Sequence, residues 1–305
     1  MASTGPGRWI LAALFVGMIL AWGFNFIFVR IGLASSPPLW LAMLRAVLAT
    51  GGVAVGLLLW RSDVPLNSQE RRDALLLGLP TTALFFGLWF DAATQVPPGK
   101  VAVIVYTFPL WVVVLSSLLL SQRESRWIWL GVVTGFLGIV LLEEPWTGGA
   151  GHLPPVAVAE LLAAAFCWAV GTVGLKTRIR GPALRTANGY QLMSGAAVLV
   201  VAAIVLEPHP TILLTESFVL SVLFLALVGT AFANVAWFAL LERFPASTLS
   251  TWAFLTPVVA LVASILIFGE LLDAIQILGV VAVLGGAAAV ARTEAGTVHA
   301  DGSRR

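Results

Sequence analysis

The sequence predicts an all-α integral membrane protein with ten transmembrane helices in two inverted five-helix repeats. Three observations lead to this fold class. Of the 305 residues, 59% are hydrophobic and only 10% are charged, whereas soluble domains average about 25% charged residues. Ten apolar runs are each long enough to cross a bilayer, and the second half of the chain repeats features of the first.

The ten apolar runs are continuous rather than alternating, which favours helices over strands. A spanning helix needs about 20 mostly apolar residues, and the runs are bounded by charges and by glycine and proline clusters. They cover residues 9–30, 39–60, 74–95, 99–121, 127–143, 155–175, 184–206, 217–241, 246–268 and 274–292. The connections between them are short, so any function must lie within the membrane bundle.

The basic residues are distributed unevenly between the two sides of this bundle. Fourteen of the seventeen Lys and Arg residues fall in the tails or in the connections on the side that both tails share. Arg30 and Lys100 fall on the opposite side, and Arg45 lies inside the second run. Cytoplasmic connections carry an excess of Lys and Arg. We therefore expect both termini to be cytoplasmic.

The two halves of the chain match under fixed shifts of the sequence. A shift of 148 positions pairs Tyr106 with Phe254, Pro109 with Pro257, Gly131 with Gly279 and Gly138 with Gly286. A shift of 146 pairs Trp22 with Trp168 and Arg45 with Gln191. Because each half holds five runs, the second copy starts on the opposite side of the membrane. Inverted repeats of this kind belong mostly to secondary transporters, which bind substrate near the midplane of the bilayer.

The repeat predicts how the chain is divided. We expect a cytoplasmic tail at 1–8, the first five-helix repeat at 9–146, a loop between the repeats at 147–154, the second repeat at 155–292 and a cytoplasmic tail at 293–305.

Several short motifs carry a resemblance to a known family. They are Trp22–Gly23 with Asn25, the Pro37–Pro38 entry to the run that holds Arg45, Pro109 and Pro257, and Phe268–Gly269–Glu270 followed by Gly279. Over residues 8–292 the chain resembles the drug/metabolite transporter superfamily, specifically the ten-helix EamA-type exporters, although Gln122 stands where the second repeat has Glu270. The resemblance implies a central cavity, alternating access, and export of amino acids and related metabolites. Bacterial relatives of this kind include aromatic amino acid exporters.

Polar groups and deep aromatic rings within the runs are the candidate substrate-binding residues. Polar side chains are costly in hydrocarbon and often mark a substrate path, and aromatic rings can stack aromatic or cationic substrates. The candidates are Trp22, Asn25, Arg45, Trp89, Tyr106, Trp168, Tyr190, Gln191, Asn234, Trp237 and Trp252.

Each class of candidate has a structural alternative. Arg45 could bind a substrate carboxylate, or its guanidinium could reach lipid headgroups. Asn25, which shares a helix face with Trp22, could instead form an interhelical hydrogen bond. The tryptophans could serve core packing or contact lipid.

Two prolines are candidate hinges. Pro109 and Pro257 occupy equivalent places in the fourth and ninth runs. A proline inside a helix removes a backbone hydrogen bond and permits a kink. The symmetric placement favours a hinge for rocking, and a static bend is the alternative.

These features and the family resemblance together predict a secondary transporter that exports small metabolites across a bacterial-type inner membrane, and the resemblance implies amino acids with an aromatic bias. Export of cationic drugs or quaternary ammonium compounds is the first alternative, and a membrane-embedded enzyme or lipid-handling protein is the second. No GxxxxGK, HExxH or GxSxG motif and no acidic metal cluster is present in the sequence. We therefore expect no enzymatic activity, catalytic residue, metal or cofactor. The expected partners are a small-molecule substrate and membrane lipids but no nucleic acid, and the chain is expected to act as a monomer.

Overall fold

A computed structural model describes residues 7–59, 64–96, 98–120, 124–143, 153–259 and 274–302. The regular structure in these ranges is helical throughout. The candidate motif Phe268–Gly269–Glu270 and its counterpart Gln122 lie outside the described residues.

The first two helices are joined by a short turn. Helix α1 runs Arg8–Leu33 and α2 runs Pro38–Leu59. Pro38 suits the first position of α2, where its missing N–H would have no partner in any case. The carboxylate of Glu207, from the second half of the chain, accepts hydrogen bonds from the N–H groups of Leu39 (3.2 Å) and Trp40 (3.3 Å). An acidic group at a helix N-terminus is favourable, so this contact fixes the start of α2.

The third apolar run forms one continuous helical rod with a π-helical interruption. Helix α3 (Ser68–Gly78) is followed by the first π segment (Leu79–Leu84) and then by α4 (Phe85–Ala92). A capping box between Asn67 and Glu70 starts α3, so the helix begins earlier than the apolar run. Pro80 stands near the start of the π segment. Because proline lacks an N–H, it cannot continue the α-helical ladder.

The fourth run, in which Pro109 predicts an interruption, is divided into two helices. Helix α5 runs Pro98–Val105 and is followed by a turn at Tyr106–Thr107. Helix α6 (Phe108–Leu119) begins directly after this turn. Pro109 is the second residue of α6. Proline has no N–H to donate to the carbonyl four residues earlier, so the hydrogen-bond ladder of α5 cannot continue through it. The break therefore falls at the residues preceding Pro109.

The remaining helices complete the first repeat and form the second. They are α7 (Arg126–Glu143), α8 (Pro155–Arg178), α9 (Ala183–Leu206), α10 (Glu216–Leu223), the second π segment (Phe224–Phe232), α11 (Ala233–Leu241), α12 (Ala246–Trp252) and α13 (Ala274–Gly302). Residues 255–259 are also helical and include Pro257.

Six helical rods in the described residues are long and apolar enough to cross a membrane. They are Trp9–Leu33, Pro38–Leu58, Ser68–Ala92, Pro155–Arg178, Ala183–Leu206 and Glu216–Leu241. Three shorter apolar helices, Phe108–Leu119, Arg126–Leu141 and Ile277–Val290, accompany them. The chain is thus an all-helical membrane protein, while the count of ten spans and the cytoplasmic termini stay predictions.

The irregular segments occur at corresponding places in the two halves. A shift of 148 positions carries the first π segment onto residues 227–232, which lie within the second π segment. The same shift carries the break at Tyr106 onto Phe254, where the turn Ala253–Phe254 follows α12. Both halves therefore interrupt their third and fourth apolar runs at corresponding residues.

Helices α7 and α13 approach each other through paired glycines. A Cβ on Gly131 would lie 2.8 Å from the carbonyl oxygen of Gly286, and one on Gly286 would lie 2.7 Å from that of Gly131. A Cβ on Gly138 would lie 2.8 Å from the carbonyl oxygen of Gly279. Under the 148-residue shift, Gly131 thus meets the counterpart of Gly138, and Gly138 meets the counterpart of Gly131. Close backbone contact of this kind is what small residues permit in membrane helices.

Candidate functional site

A narrow central cavity lies where helices of the two halves meet. Its free volume is about 50 Å³, room for roughly four water molecules. It is lined by Trp22, Asn25, Phe26, Arg45, Phe85, Phe86, Trp89, Val105, Tyr106, Phe108, Trp168 and Asn234. Most of this wall is aromatic, and the polar groups are few.

Three tryptophans from three helices pack together beside this cavity, and two of them, Trp22 and Trp168, line it. The ring centroids of Trp22 and Trp168 are 5.8 Å apart in an edge-on arrangement, and those of Trp22 and Trp237 are 5.3 Å apart. Trp168 and Trp237 are 6.2 Å apart, and Phe85 lies 5.0 Å from Trp168. These separations are typical of favourable aromatic pairs. The cluster offers flat apolar surfaces to a guest with an aromatic or aliphatic side chain.

Arg45 supplies the cationic group of the cavity and is only 2% exposed. Its Nε donates a 2.7 Å hydrogen bond to the hydroxyl of Thr230, and its Nη2 donates a 3.3 Å bond to the carbonyl oxygen of Gly229. The guanidinium carbon also lies 4.3 Å from the ring centroid of Phe86 and 5.5 Å from that of Trp89. The Nη1 atom has no hydrogen-bond partner.

The second π segment makes the two acceptors for Arg45 available. The hydroxyl of Thr230 donates to the carbonyl oxygen of Leu225, five residues earlier. Its oxygen therefore remains free to accept the Nε hydrogen of Arg45. Gly229 accepts from Arg45 and also from Asn25 Nδ2, at 3.5 Å. π-Helical turns frequently mark functional sites in this way, because they open the backbone ladder.

Asn25 lies beside Arg45 and is 3% exposed. Its Nδ2 binds the Gly229 carbonyl, while its Oδ1 has no hydrogen-bond partner. A Cβ on Gly229 would lie only 2.1 Å from that Oδ1. Glycine at this position therefore admits the asparagine side chain against the π segment.

Seven of the eleven sequence-predicted residues line the cavity together. They are Trp22, Asn25, Arg45, Trp89, Tyr106, Trp168 and Asn234. Trp237, the third member of the tryptophan cluster, is fully buried and packs on Trp22 and Trp168 without lining the cavity. The hinge candidates lie close to the two breaks: Pro109 is in the first turn of α6, and Pro257 follows the turn Ala253–Phe254.

Three predicted residues lie away from the cavity. Tyr190 lines a separate pocket with Arg71 and Thr186. Gln191 is buried and donates its Nε2 hydrogen to the hydroxyl of Thr81. The ring of Trp252 packs between Phe15 (5.9 Å) and Phe244 (5.2 Å) in another part of the bundle.

Five lining residues were not among the sequence-predicted candidates: Phe26, Phe85, Phe86, Val105 and Phe108. Helical spacing could have indicated most of them. Phe26 lies four residues after Trp22, and Phe85 and Phe86 precede Trp89 by four and three residues, so each pair shares a helix face. Phenylalanine carries no polar group, however, and is otherwise indistinguishable from ordinary apolar residues in a membrane helix.

A second cavity of about 500 Å³ lies at the C-terminal end of α1. It is lined by Phe26, Val29, Arg30, Leu33, Ala34, Trp89, Ala93, Thr94, Gln95, Val96 and Val101. Phe26 and Trp89 line both this cavity and the central one, and their ring centroids are 5.5 Å apart. This aromatic pair therefore separates the two spaces.

Charged contacts cluster on the face at which α1 begins. Arg185 Nε donates to the carboxylate of Glu242 at 2.7 Å, and Arg178 pairs with Asp73 at 3.2 Å. The hydroxyl of Ser247 donates to Glu124 Oε2 at 3.0 Å. Partial burial raises the pKa of the Glu124 carboxyl, an effect opposed by the Ser247 hydrogen bond. Within the described ranges, no group of three His, Cys, Asp or Glu side chains is placed to hold a metal ion.

Comparison with a solved structure supports the fold. A protein described only as "Crystal structure of protein" matches with a TM-score of 0.75 at 20% sequence identity, covering 93% of this chain and 96% of that one.

Sequence comparison gives relatives in several bacteria. The uncharacterized inner membrane transporter YedA of Escherichia coli K12 is 31% identical over 269 residues, covering 88% of this chain and 85% of YedA. A probable amino-acid metabolite efflux pump of Salmonella typhimurium is 29% identical over 282 residues, covering 88% and 90% of the two chains. Protein PecM of Dickeya dadantii is 31% identical over 262 residues, covering 85% of each.

The EamA-like transporter family model matches twice, at residues 8–143 and 156–292. These two copies together span nearly the whole chain, and they confirm the resemblance that the motifs indicated. The chain is therefore a membrane transporter that belongs to the EamA-like transporter family.

Proposed function

We propose that this chain is a secondary transporter that exports amino acids, with a preference for aromatic side chains, across the bacterial inner membrane by alternating access. The observation that carries this proposal is the central cavity, in which the tryptophan cluster faces Arg45 and Asn25. An apolar aromatic wall with a few polar groups is the usual composition of a small-molecule site. The Salmonella typhimurium relative, which is named a probable amino-acid metabolite efflux pump, supports the same substrate class.

The paired irregular segments support alternating access. Binding sites of inverted-repeat transporters lie at the repeat interface and are built by interrupted helices in corresponding positions. Here the two π segments and the breaks at Tyr106 and Phe254 correspond under one shift. We propose that the repeats are inverted and that Pro109 and Pro257 are the hinges about which they rock.

The size of the central cavity supports a closed intermediate between two open states. About 50 Å³ is too small for an aromatic amino acid, so side chains must move before one can enter. We propose that the 500 Å³ cavity is the release path and that Phe26 and Trp89 close it. In this proposal both termini are cytoplasmic, the second cavity faces the outside, and a single chain contains the whole path.

Reconstituted transport tests the proposal directly. Proteoliposomes loaded with labelled amino acids should show protein-dependent flux, fastest for phenylalanine, tyrosine or tryptophan. Trp22→Ala and Trp168→Ala should each lower this flux at least several-fold. The matched control is Trp9→Ala, because Trp9 is 88% exposed at the start of α1. Absence of protein-dependent flux for every amino acid would overturn the proposal.

Export of cationic drugs is the competing function, because tryptophan faces attract quaternary ammonium groups. The buried cation of Arg45 opposes it, since like charges repel strongly at low dielectric. Quaternary ammonium compounds should therefore fail to compete with labelled phenylalanine. Competition by these compounds, with none by unlabelled amino acids, would favour drug export instead.

A further inference from the structure

Arg45 carries a buried positive charge that its neighbours do not neutralise. Among the described residues, the two ion pairs are Arg178–Asp73 and Arg185–Glu242, and neither includes Arg45. The partners of Arg45 are a hydroxyl, a carbonyl oxygen and aromatic rings. A buried charge is costly unless it is paired and fully hydrogen-bonded. The cavity therefore holds a cation that still lacks its counter-charge.

The geometry of the guanidinium defines which donors remain. Arginine carries five N–H donors in a rigid planar fork. The edge formed by Nε and Nη2 is used by Thr230 and Gly229 of the second π segment. The remaining edge, formed by Nη1 and the second hydrogen of Nη2, is the one that matches the two oxygens of a carboxylate. Nη1 is buried without a partner in a residue that lines the cavity.

Asn25 adds a second unsatisfied atom to the same corner. Arg45 and Asn25 both donate to the carbonyl oxygen of Gly229, so their polar ends lie side by side. The Oδ1 of Asn25 is an acceptor without a partner, and an acceptor of this kind suits an ammonium group. One corner thus presents a free cationic donor and a free neutral acceptor next to each other.

From these contacts we infer that Arg45 and Asn25 form the head-group subsite of the cavity, in which Arg45 Nη1 binds a substrate carboxylate and Asn25 Oδ1 accepts a hydrogen bond from an adjacent ammonium. The inference rests on the proposed function and deepens it, because it makes the carboxylate obligatory. The side chain of the substrate then extends toward Trp22 and Trp168. Substrates are zwitterionic or anionic, and compounds with an amine alone are rejected.

A ligand series with one aromatic ring tests the carboxylate requirement on the wild-type protein. The probes are phenylalanine, its amide, 3-phenylpropionate and phenethylamine, each measured by thermal shift and by competition with labelled phenylalanine in proteoliposomes. Bound ligand raises the melting temperature by mass action. We expect phenylalanine to bind best, 3-phenylpropionate to bind more weakly, and the amide and phenethylamine to bind at least tenfold more weakly than phenylalanine.

Two substitutions of Arg45 then assign the requirement to this residue. Arg45→Gln installs the residue found at the repeat-equivalent position 191, and it should lower affinity for both carboxylates about 10- to 100-fold, as expected for loss of charged hydrogen bonds. It should not lower affinity for phenethylamine. Arg45→Lys keeps the charge and should retain part of the carboxylate affinity. It serves as the test variant if Arg45→Gln fails to fold. Arg126→Gln, the same change at an exposed arginine, is the matched control.

The outcomes separate the inference from the function on which it rests. If the amide binds as well as phenylalanine, or if Arg45→Gln binds the acid as tightly as wild type, the inference is overturned while amino acid export stands. If 3-phenylpropionate binds through Arg45 but no amino acid is transported, the proposed function falls and the carboxylate subsite stands. If no compound of the series binds to the wild-type protein, both are overturned.

Discussion

The Nε of Arg45 donates a 2.7 Å hydrogen bond to the hydroxyl of Thr230, which joins α2 of the first repeat to the second π segment of the second. The reverse connection also exists. Gln191, which the repeat pairs with Arg45, donates a hydrogen bond to the hydroxyl of Thr81. Thr81 is next to Thr82, which the repeat pairs with Thr230. Each repeat therefore anchors a polar residue on the π segment of the other. In the first case this residue lines the cavity, and in the second it is packed away from it.

We expect Thr230→Val to weaken transport and stability, because it removes the acceptor for Arg45 Nε while leaving the buried charge in place. An unsatisfied buried donor costs about 1–3 kcal/mol, and more for a charged group. Chemical denaturation in detergent and phenylalanine flux measure the two effects. Thr81→Val removes the acceptor of the neutral Gln191 amide, so it should lower the free energy of unfolding by less than Thr230→Val does. Equal losses in the two variants would contradict a special role for the Arg45 contact.

Replacement of Gly229 should disturb the site through Asn25. The added Cβ of Gly229→Ala would lie 2.1 Å from Asn25 Oδ1, so the asparagine must leave its position. We expect flux to fall at least several-fold while the amount of protein in the membrane is unchanged. Gly51→Ala is the control, because a Cβ on Gly51 meets nothing within 4 Å, and its flux should remain at the wild-type level. Normal flux in Gly229→Ala would mean that the position of Asn25 is unimportant.

Stability should depend on which of two adjacent glycines in α13 is changed. A Cβ on Gly286 would lie 2.7 Å from the backbone carbonyl oxygen of Gly131, whereas one on Gly285 meets nothing within 4 Å. Gly286→Ala must push α7 and α13 apart, and overpacking of this kind costs about 1–3 kcal/mol. Gly285→Ala should be neutral or slightly stabilising, since alanine is the better helix former. A thermal melt that gives the same midpoint for both variants would contradict this packing.

The sequence predicts much of the cavity lining because its signals are chemical. Asn25 and Arg45 stood out as polar groups in apolar runs, and Trp22 and Trp168 stood out through the repeat. Symmetry was misleading at Gln191, because the repeats pack differently. A Cβ on Gly171 would lie 1.4 Å from Thr81 Cγ2, and one on Gly195 would lie 2.3 Å from Thr82 Cβ. These glycines let α8 and α9 close against the first π segment, and no space for a ligand remains there.

The irregular backbone was harder to predict than the residues around it. The prolines indicated an interruption in the fourth run, but the break falls at Tyr106–Thr107 rather than at Pro109 itself. The second π segment contains no proline. Its geometry depends on tertiary contacts such as those of Arg45 and Asn25 with Gly229, which no local pattern indicates.

Removal of the aromatic barrier should accelerate release. Phe26→Ala would join the central cavity to the 500 Å³ cavity, because Phe26 lines both. We expect the variant to lose substrate faster from preloaded protein, by a few-fold or more, and to bind it more weakly. Phe28→Ala is the matched control on the same helix, since Phe28 stacks on Phe224 at 4.0 Å and lines neither cavity. Unchanged release in Phe26→Ala would place the barrier elsewhere.

The contact between Glu124 and Ser247 should make stability depend on pH. It joins the connection before α7 to the start of α12, and burial raises the pKa of the Glu124 carboxyl above its ordinary value of 4.5. The folded protein therefore binds this proton more tightly than the unfolded chain. The resulting stabilisation is complete below the unfolded-state pKa and is lost as the pH rises through the folded-state pKa.

Glu124→Gln mimics the protonated carboxyl, so it should abolish this component of the pH dependence. We expect the melting temperature of wild type to fall relative to that of Glu124→Gln as the pH rises from about 4 toward neutrality, because only the wild-type side chain loses a proton. Glu216→Gln, at an exposed position in the first turn of α10, serves as the comparison. A constant difference between wild type and Glu124→Gln across this range would show that Glu124 titrates alike in both states.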